Sequence, residues 1–235
     1  MEIVARHVDE LETEPDAAAG ADVAVVIDVV RAFTTTPWCL AAGASRVLMA
    51  PSLAAAAAAR RTRFPEALLL KDGAPDPAFE LPNAPGALAR EDLDGRVVVV
   101  TTGNGTRGAH AVPGTPLVLC AGFVTAAATA RAVREAAPQR VLLVPTEGDE
   151  DWALADHLTA LLRDDSADAA PFLARAERSS AAQECRDRGP DPAWPGFDAD
   201  DLARCLEVDR FAHAVVARPD GDLLAASWHR PTRSR

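Results

Sequence analysis

Four segments of this sequence hold residue types that could bind or activate an anionic group, and each follows an apolar run. They span residues 28–36, 101–108, 120–125 and 146–156, and each is rich in Gly, Thr, Asn or Asp. Sites in parallel sheets form where the carboxyl ends of strands meet the amino ends of helices. We therefore expect these four segments to meet at one edge of a sheet.

The most informative acid is Asp28, which lies inside the aliphatic run VVIDVV. A buried carboxylate is costly unless it is paired with a cation or binds a metal ion. One interpretation is a structural ion pair between Asp28 and Arg31. The other places Asp28 at a strand end as a Mg²⁺ ligand or a nucleophile, with Arg31 on the substrate anion. The sequence leaves both open.

A second candidate is TTGNGTRG, residues 101–108. Its glycines allow a tight turn that brings backbone amides near a ligand. Arg107 adds a guanidinium suited to phosphate or carboxylate. The segment matches neither GxxxxGK[ST] nor GxGxxG. This is the chemistry of an anion site, but an ordinary strand-to-helix turn capped by Thr or Asn explains the residues equally well.

The stretch EGDEDWALAD, residues 147–156, is dense in acid. Acids in a first helical turn interact favourably with the helix dipole, which is the simpler interpretation of the central DED. Glu147 or Asp156 could instead join Asp28 in a Mg²⁺ site. The sequence does not decide between a helix start and a metal site here.

Alternating apolar runs and helical patterns predict the elements that hold these segments. Strands are predicted at residues 23–30, 46–50, 67–70, 96–101, 117–121 and 140–144. Helices are predicted at residues 34–42, capped by Thr34 or Thr35, at 52–63, capped by Ser52, at 124–136 and up to about residue 163. This order predicts an α/β fold with a largely parallel or mixed sheet covered by helices on both faces.

The last third of the chain has a different character. Residues 1–165 are predicted to form the α/β core with the site, and residues 166–235 a smaller portion of helices and a hairpin that packs on it. The hairpin is expected around the turn PDGD, residues 219–222. One continuous domain is the alternative. Residues 71–86 hold four prolines and are expected to form a long loop beside the site.

The composition excludes several classes of protein. A formal net charge of −11 opposes nucleic-acid binding, and no apolar run reaches the roughly 18 residues of a membrane helix. Four separated cysteines without a CxxC pair are expected to be reduced, in a cytoplasmic protein. An anionic partner would have to meet a local positive site, because the net charge opposes it, and a homodimer is left open.

Taken together, the segments resemble a known family. The order and spacing of VVIDVVRAFTTT, FELPNAP, TTGNGTRG and CAGFVTAAATA are similar to those of the 2-phosphosulfolactate phosphatases, over about residues 20–165. The resemblance implies an α/β fold, dependence on Mg²⁺ and hydrolysis of the phosphate monoester of 2-phospho-3-sulfolactate. The partner that it implies is a small anionic phosphate ester.

The resemblance and the chemistry of the residues together assign roles to individual positions. Catalytic roles fall on Asp28, Arg31 and Asn104. Substrate binding falls on Thr34, Thr35, Lys71, Asn83, Gly105, Thr106 and Arg107. The predicted metal ligands are Asp28, Glu147 and Asp156.

Three blocks differ from the family pattern. Leu70-Lys71-Asp72 replaces Gly-Glu-Arg, Phe79-Glu80 replaces Phe-Asp, and Ala153-Leu154-Ala155-Asp156 lacks the serine and one acid of a Ser-x-acid-acid element. These differences favour the alternative of a non-catalytic descendant that binds a small anionic metabolite. A structural protein that uses its acidic last third for assembly is the third hypothesis.

Overall fold

A computed structural model describes residues 1–230, with residues 15 and 16 described by their backbone alone. Within that range ten strands form one sheet beside ten α-helices. The strands are β1 (Glu2–Ala5), β2 (Val23–Ile27), β3 (Arg46–Met49), β4 (Leu68–Lys71), β5 (Leu81–Pro82), β6 (Val97–Thr101), β7 (Leu117–Ala121), β8 (Arg140–Pro145), β9 (Val215–Asp220) and β10 (Leu223–Trp228). The helices are α1 (Val8–Thr13), α2 (Ala32–Ala41), α3 (Leu53–Thr62), α4 (Pro85–Leu88), α5 (Gly105–His110), α6 (Ala126–Ala136), α7 (Asp149–Arg163), α8 (Ala170–Ala176), α9 (Ser180–Arg188) and α10 (Asp201–Cys205).

The sheet consists of two parallel halves joined by an antiparallel hairpin. Its strand order is β1-β8-β2-β7-β9-β10-β3-β6-β4-β5. The first four strands are mutually parallel, and so are the last four. The hairpin β9–β10 pairs antiparallel with β7 on one side and with β3 on the other. The predicted α/β class is confirmed. The division at residue 165 stays a prediction, although the hairpin supplies the two central strands.

Successive side chains of a strand point to opposite faces of the sheet, so each half contributes to two apolar clusters. In the first half, Val25 packs with α6 and α7, whereas Val26 faces α2 and α5. In the second half, Val99 packs with α3, whereas Val100 faces the same α2 and α5 layer. Both halves therefore share one central helical layer, and α2 and α5 carry the segments that follow β2 and β6.

The start of α2 differs from its prediction. The strand before it ends at Ile27, so Asp28 follows the strand, and the helix begins at Ala32. The predicted cap by Thr34 or Thr35 is wrong, because Asp28 Oδ1 accepts the Ala32 N–H at 2.8 Å and takes the capping role itself. The backbone oxygen of Asp28 also accepts from the Phe33 N–H.

Other local predictions agree closely with the structure. β7 has the predicted bounds, α7 ends at the predicted Arg163, and Ser52 caps α3 by accepting the Ala55 N–H at 3.1 Å. The long loop at residues 71–86 contains the short β5 and the first residues of α4, and β1, α1 and α10 are additional. Within the described range, no helix combines the length and apolarity needed to cross a membrane.

Candidate active site

The carboxyl ends of β2, β4, β6 and β8 meet in one place. β2 and β6 are five steps apart in the sheet, and a twist of roughly 20–25° per step rotates them by roughly 100–125° relative to each other. A Cβ atom built on Gly105, after β6, would lie 2.6 Å from Asp28 Oδ2. Asp72, after β4, lies 3.6 Å from Arg31. Three of the four predicted segments therefore converge, together with the segment that follows β4.

The fourth segment, residues 120–125, packs against α2 instead. A Cβ atom on Gly122 would lie 2.9 Å from the Phe33 backbone oxygen and 3.0 Å from Thr34 Oγ1. This contact leaves no room for a ligand between the segment and the helix. Its glycine serves close packing rather than anion binding.

Asp28 is a buried acid of the site, with 5% of its surface exposed. Burial raises the pKa of Asp28 to about 7, and the negative charges of Asp72, Glu147 and Glu150 act in the same direction. Oδ1 is committed to the Ala32 N–H, whereas Oδ2 faces Gly105. The interpretation of Asp28 and Arg31 as an ion pair is wrong, because the carboxylates beside Arg31 are those of Asp201 and Asp72.

Two further acids, Glu150 and Asp151, are buried at the start of α7. Asp151 accepts backbone N–H groups from Val29 at 2.7 Å and from Thr146 and Glu147 at 3.0 Å. It therefore ties the segment after β2 to the segment after β8. Burial holds the pKa of Asp151 well above its usual range, and the charge of Asp28 adds to the rise.

Glu150 is 1% exposed, and among the described residues neither of its carboxylate oxygens has a hydrogen-bond partner. A buried carboxylate without partners costs several kcal/mol unless a cation or proton reaches it. Glu147 lies nearby; burial raises its pKa, and the Asn104 side chain opposes that rise. Asp28, Glu147 and Glu150 thus place three acids close enough to act on one another.

The predicted metal ligand Asp156 does not belong to this group. Its side chain is 58% exposed and forms a 2.7 Å ion pair with Arg175 on the outer surface. Across residues 1–230, no three His, Cys, Asp or Glu side chains are already arranged around a common metal position. The set Asp28, Glu147 and Asp156 is therefore not brought together.

The buried acids after β8 lie earlier in the sequence than Asp156. Of three consecutive acids at residues 149–151, Glu150 and Asp151 are buried, whereas Asp149 pairs with Arg175 at the surface. The helical periodicity of the sequence would have identified Glu150 and Asp151 as buried. Leu154, Leu158 and Leu161 form the apolar face of α7, and one turn back on that face lie Glu150 and Asp151.

Arg31 is held by a part of the chain that the sequence does not connect to the site. Its Nη1 donates to Asp201 Oδ2 at 2.7 Å and to the Gly196 backbone oxygen at 2.9 Å. The Phe197 ring lies 4.0 Å from the guanidinium carbon, in a cation–π contact. Asp201 is fully buried and also accepts the Gly86 N–H at 2.9 Å.

The pKa values of both members of this pair are raised, which favours the charged form of Arg31 but the neutral form of Asp201. Burial lowers the pKa of Arg31, but the charges of Asp201 and Asp72 and the hydrogen bond to Asp201 together raise it, whereas burial outweighs the attraction of Arg31 and raises the pKa of Asp201. Asp201 accepts from Arg31 and from the N–H groups of Gly86 and Asp198. Only an ionised carboxylate is an acceptor at every position, so we take the pair as charged.

Of the three threonines predicted to bind substrate, two already donate their hydroxyl hydrogen to a backbone oxygen. Thr34 Oγ1 donates to the Val29 oxygen at 2.9 Å, and Thr106 Oγ1 donates to the Thr102 oxygen at 2.8 Å. Thr35 Oγ1 is buried without a partner among the described residues. Their substrate-binding roles stay predictions, and the first duty of Thr34 and Thr106 is to shape the two loops.

A cleft of about 480 Å³ opens beside this group, lined by Lys71, Asp72, Gly103 and Arg107 among others. Lys71 Nζ donates to the backbone oxygens of Asp72 at 2.6 Å and Ala74 at 2.5 Å, and it makes no ion pair within residues 1–230. Arg107 pairs with Asp9 at 2.8 Å on the surface of α1, where ion pairs are weak and exchange readily. Both cations therefore remain accessible to a ligand in the cleft.

Asn83 connects the proline-rich loop to Asp72. Its Nδ2 donates to Asp72 Oδ1 at 2.9 Å, and its own Oδ1 is buried without a partner among the described residues. Asn83 thus lies beside the site, as predicted, since Asp72 is 3.6 Å from Arg31. Its role in substrate binding stays a prediction.

We expect metal-free protein to lose stability as the pH rises from about 4 to about 8. The folded pKa of Asp28 is about 7 against about 3.9 for an unfolded Asp. Its stabilising contribution is thus complete below the unfolded value and lost as the pH rises through the folded one. Urea unfolding in EDTA at pH 5 and pH 8 should show a pH-dependent loss that is smaller by roughly 2–3 kcal/mol in Asp28→Asn than in wild type. Equal losses in the two proteins would contradict the assignment.

Replacing Gly105 with alanine should destabilise the protein by about 1–3 kcal/mol. The new Cβ would lie 2.6 Å from both Asp28 Oδ2 and Ala32 Cβ, so either the acid or the start of α2 must move. Gly103→Ala is the matched control, because a Cβ there has no atom within 4 Å. Its unfolding free energy should stay within about 0.5 kcal/mol of wild type. Similar losses in both variants would show that the close approach to Asp28 is not the cause.

Comparison with known proteins agrees with this arrangement. Residues 8–192 match the model of the family described as 2-phosphosulpholactate phosphatase. A probable 2-phosphosulfolactate phosphatase of Bacillus subtilis is 26% identical over 215 residues, covering 87% of this chain and 91% of that protein. Proteins of the same description are 38% identical in Thermus thermophilus, over 59% of each chain, and 33% identical in Synechococcus sp. RCC307, over 60% of this chain and 58% of that one. The alignments with the latter two thus span less than two thirds of those relatives. Because the family model matches residues 8–192, the chain belongs to the 2-phosphosulpholactate phosphatase family.

Proposed function

We propose that this protein is a Mg²⁺-dependent phosphatase that hydrolyses the phosphate monoester of 2-phosphosulfolactate or of a similar phosphorylated 2-hydroxy acid. The observation that carries the proposal is the Asp28 carboxylate, buried at the end of β2 with one oxygen facing the Gly105 turn. Relatives described as probable 2-phosphosulfolactate phosphatases support the substrate class.

The acids of the site fit Mg²⁺ in kind and in charge. Mg²⁺ prefers oxygen ligands, keeps several of its waters and is often held by one or two carboxylates, so a complete protein cage is not required. Asp28, Glu147 and Glu150 would hold it, since within residues 1–230 the Glu150 oxygens have no hydrogen-bond partner and only Oδ1 of Asp28 accepts a hydrogen bond. When bound, the ion would supply charge neutralisation to the phosphate group.

The chain supplies the remaining interactions of the proposed reaction. Arg31 presents the Nη2 edge of its guanidinium towards the site, because Nη1 is occupied by Asp201 and Gly196. It would hold a non-bridging phosphate oxygen. Lys71 and Arg107 would hold the anionic remainder of the substrate in the cleft. Asp28 would act as a metal ligand or as the nucleophile, two roles that need the same ionised carboxylate.

Phosphate release tests the proposal directly. The substrates are 2-phosphosulfolactate and a few phosphorylated 2-hydroxy acids, each assayed with Mg²⁺ and with EDTA. We expect release in Mg²⁺ that EDTA abolishes. If no ester releases phosphate in Mg²⁺, the phosphatase proposal fails. Binding of the esters without release would favour the alternative of a non-catalytic binding protein, which the replacement of Gly-Glu-Arg by Leu70-Lys71-Asp72 also favours.

We also propose a cytoplasmic location for this reaction. Cys39, Cys120, Cys185 and Cys205 are free and buried, as expected of a protein in a reducing compartment. A homodimer stays an expectation.

A further inference from the structure

The guanidinium of Arg31 is anchored on one side only. Arg31 is 5% exposed, and its Nη1 uses both of its hydrogens, one for Asp201 and one for the Gly196 oxygen. The ring of Phe197 covers one face of the plane at 4.0 Å. These contacts fix the orientation of the guanidinium, because a planar fork with one nitrogen bound and one face covered cannot rotate freely.

The other side of the guanidinium faces Asp72. Asp72 Oδ1 lies 3.6 Å from Arg31 Nη2, which is an ion pair beyond direct hydrogen-bonding distance. The Asp72 side chain is 42% exposed, and Gly73 follows it with a φ of +73° and open space around its Cβ position. On turning into the cleft that it lines, the Asp72 carboxylate would give up one hydrogen bond, which the Asn83 amide donates to Oδ1 at 2.9 Å.

The Asp72 carboxylate therefore lies where an external oxyanion would contact Arg31. Arg31 is the buried cation of the site, and its Nη2 group, which Asp201 and Gly196 do not use, faces the carboxylate of Asp72. The surrounding charges make this carboxylate costly there, since Asp28, Glu147 and Asp72 repel one another. An external oxyanion at the same edge would meet both the attraction of Arg31 and the repulsion of Asp72.

We propose that Asp72 is a built-in competitor for the anion position on Arg31, and that a substrate or product oxyanion binds there by displacing it. The inference rests on the proposed function and deepens it by naming a residue that sets affinity for the phosphate group. Asp72 weakens binding and returns to Arg31 when inorganic phosphate leaves. It is a residue of selectivity, and it takes no part in bond breaking.

Calorimetric titration with inorganic phosphate, in EDTA at neutral pH, tests the proposal without turnover. Asp72→Asn keeps an oxygen for the Asn83 amide and removes the charge. We expect its affinity for phosphate to exceed that of wild type by at least about threefold. Asp165→Asn, which removes one charge from an exposed residue of the turn after α7, should bind phosphate like wild type. Equal or weaker binding by Asp72→Asn would overturn the proposal.

A double-mutant cycle separates displacement from a general change in charge. In an Arg31→Lys background, Asp72→Asn should give less than half of its gain in binding free energy, because the guanidinium edge is gone. An undiminished gain would overturn the proposal. Circular dichroism of each variant checks that the fold is retained. Because this readout is binding, a wild type that releases no phosphate from any ester would refute the proposed function and leave this inference standing on its own result.

Discussion

Replacing Asp28 with asparagine is expected to lower the rate of phosphate release by at least about 100-fold. The substitution removes the charge that either a metal ligand or a nucleophile needs. The fold should persist, because the asparagine oxygen can still accept the Ala32 N–H that Asp28 accepts at 2.8 Å. In metal-free buffer at pH 8 the variant should be more stable than wild type, because a costly buried charge is gone. Kinetics with Mg²⁺ and thermal melts in EDTA measure the two effects.

The matched control is Asp156→Asn, which removes the same charge from α7. Asp156 is exposed and paired with Arg175, and exposed pairs contribute about 0–1 kcal/mol. Its rate should stay within about twofold of wild type, as for most surface substitutions away from a site. A large loss of rate in Asp156→Asn would place Asp156 in the site. An unchanged rate in Asp28→Asn would exclude Asp28 from it.

Replacing Asp201 with asparagine is expected to cost about 3 kcal/mol of unfolding free energy and most of the activity. The carboxylate accepts Gly86 N–H on Oδ1 and both Arg31 Nη1 and Asp198 N–H on Oδ2. In either orientation an asparagine points its NH₂ group at a donor. Arg31 is then left buried with its charge uncompensated. Urea unfolding and phosphate release, measured on the same preparation, test both consequences.

Asp198→Asn serves as the comparison because Asp198 lies in the same segment. Its pair with Arg90 is at the surface, where Arg90 is 59% exposed. The substitution should cost less than about 1 kcal/mol and leave the rate nearly unchanged. If the two variants behave alike, Asp201 does not position Arg31, and the segment around it has only a general structural role.

Local patterns in the sequence were sufficient for much of the fold. β7 and the end of α7 match their predictions because apolar runs and helical periodicity depend on neighbouring residues alone. The place of the hairpin could not be predicted in this way. Its strands pair with β7 and β3, which lie far away in the chain, and the hairpin pattern does not specify which strands those are.

Some residues of the site also have a local signal in the sequence, and others do not. Asp28 is identifiable because an acid in an aliphatic run is conspicuous, and the Gly105 turn because of its glycines. Asp201 carries no such signal, since it is one of three acids in FDADD, and nothing in the sequence connects it with Arg31, 170 positions away. The burial of Glu150 and Asp151 could have been predicted, because both lie on the apolar face of α7. The simpler interpretation as first-turn acids hid this signal.

The central hairpin has a consequence for how the chain folds as it leaves the ribosome. β9 and β10, at Val215–Asp220 and Leu223–Trp228, follow every other described strand in the chain, yet they lie between the two halves of the sheet. Each half can begin to form during synthesis. Until the hairpin emerges, however, β7 and β3 each present an unpaired edge, of the kind that invites association with other chains. The two inner edges of the sheet are therefore covered only after every other described strand has been synthesised.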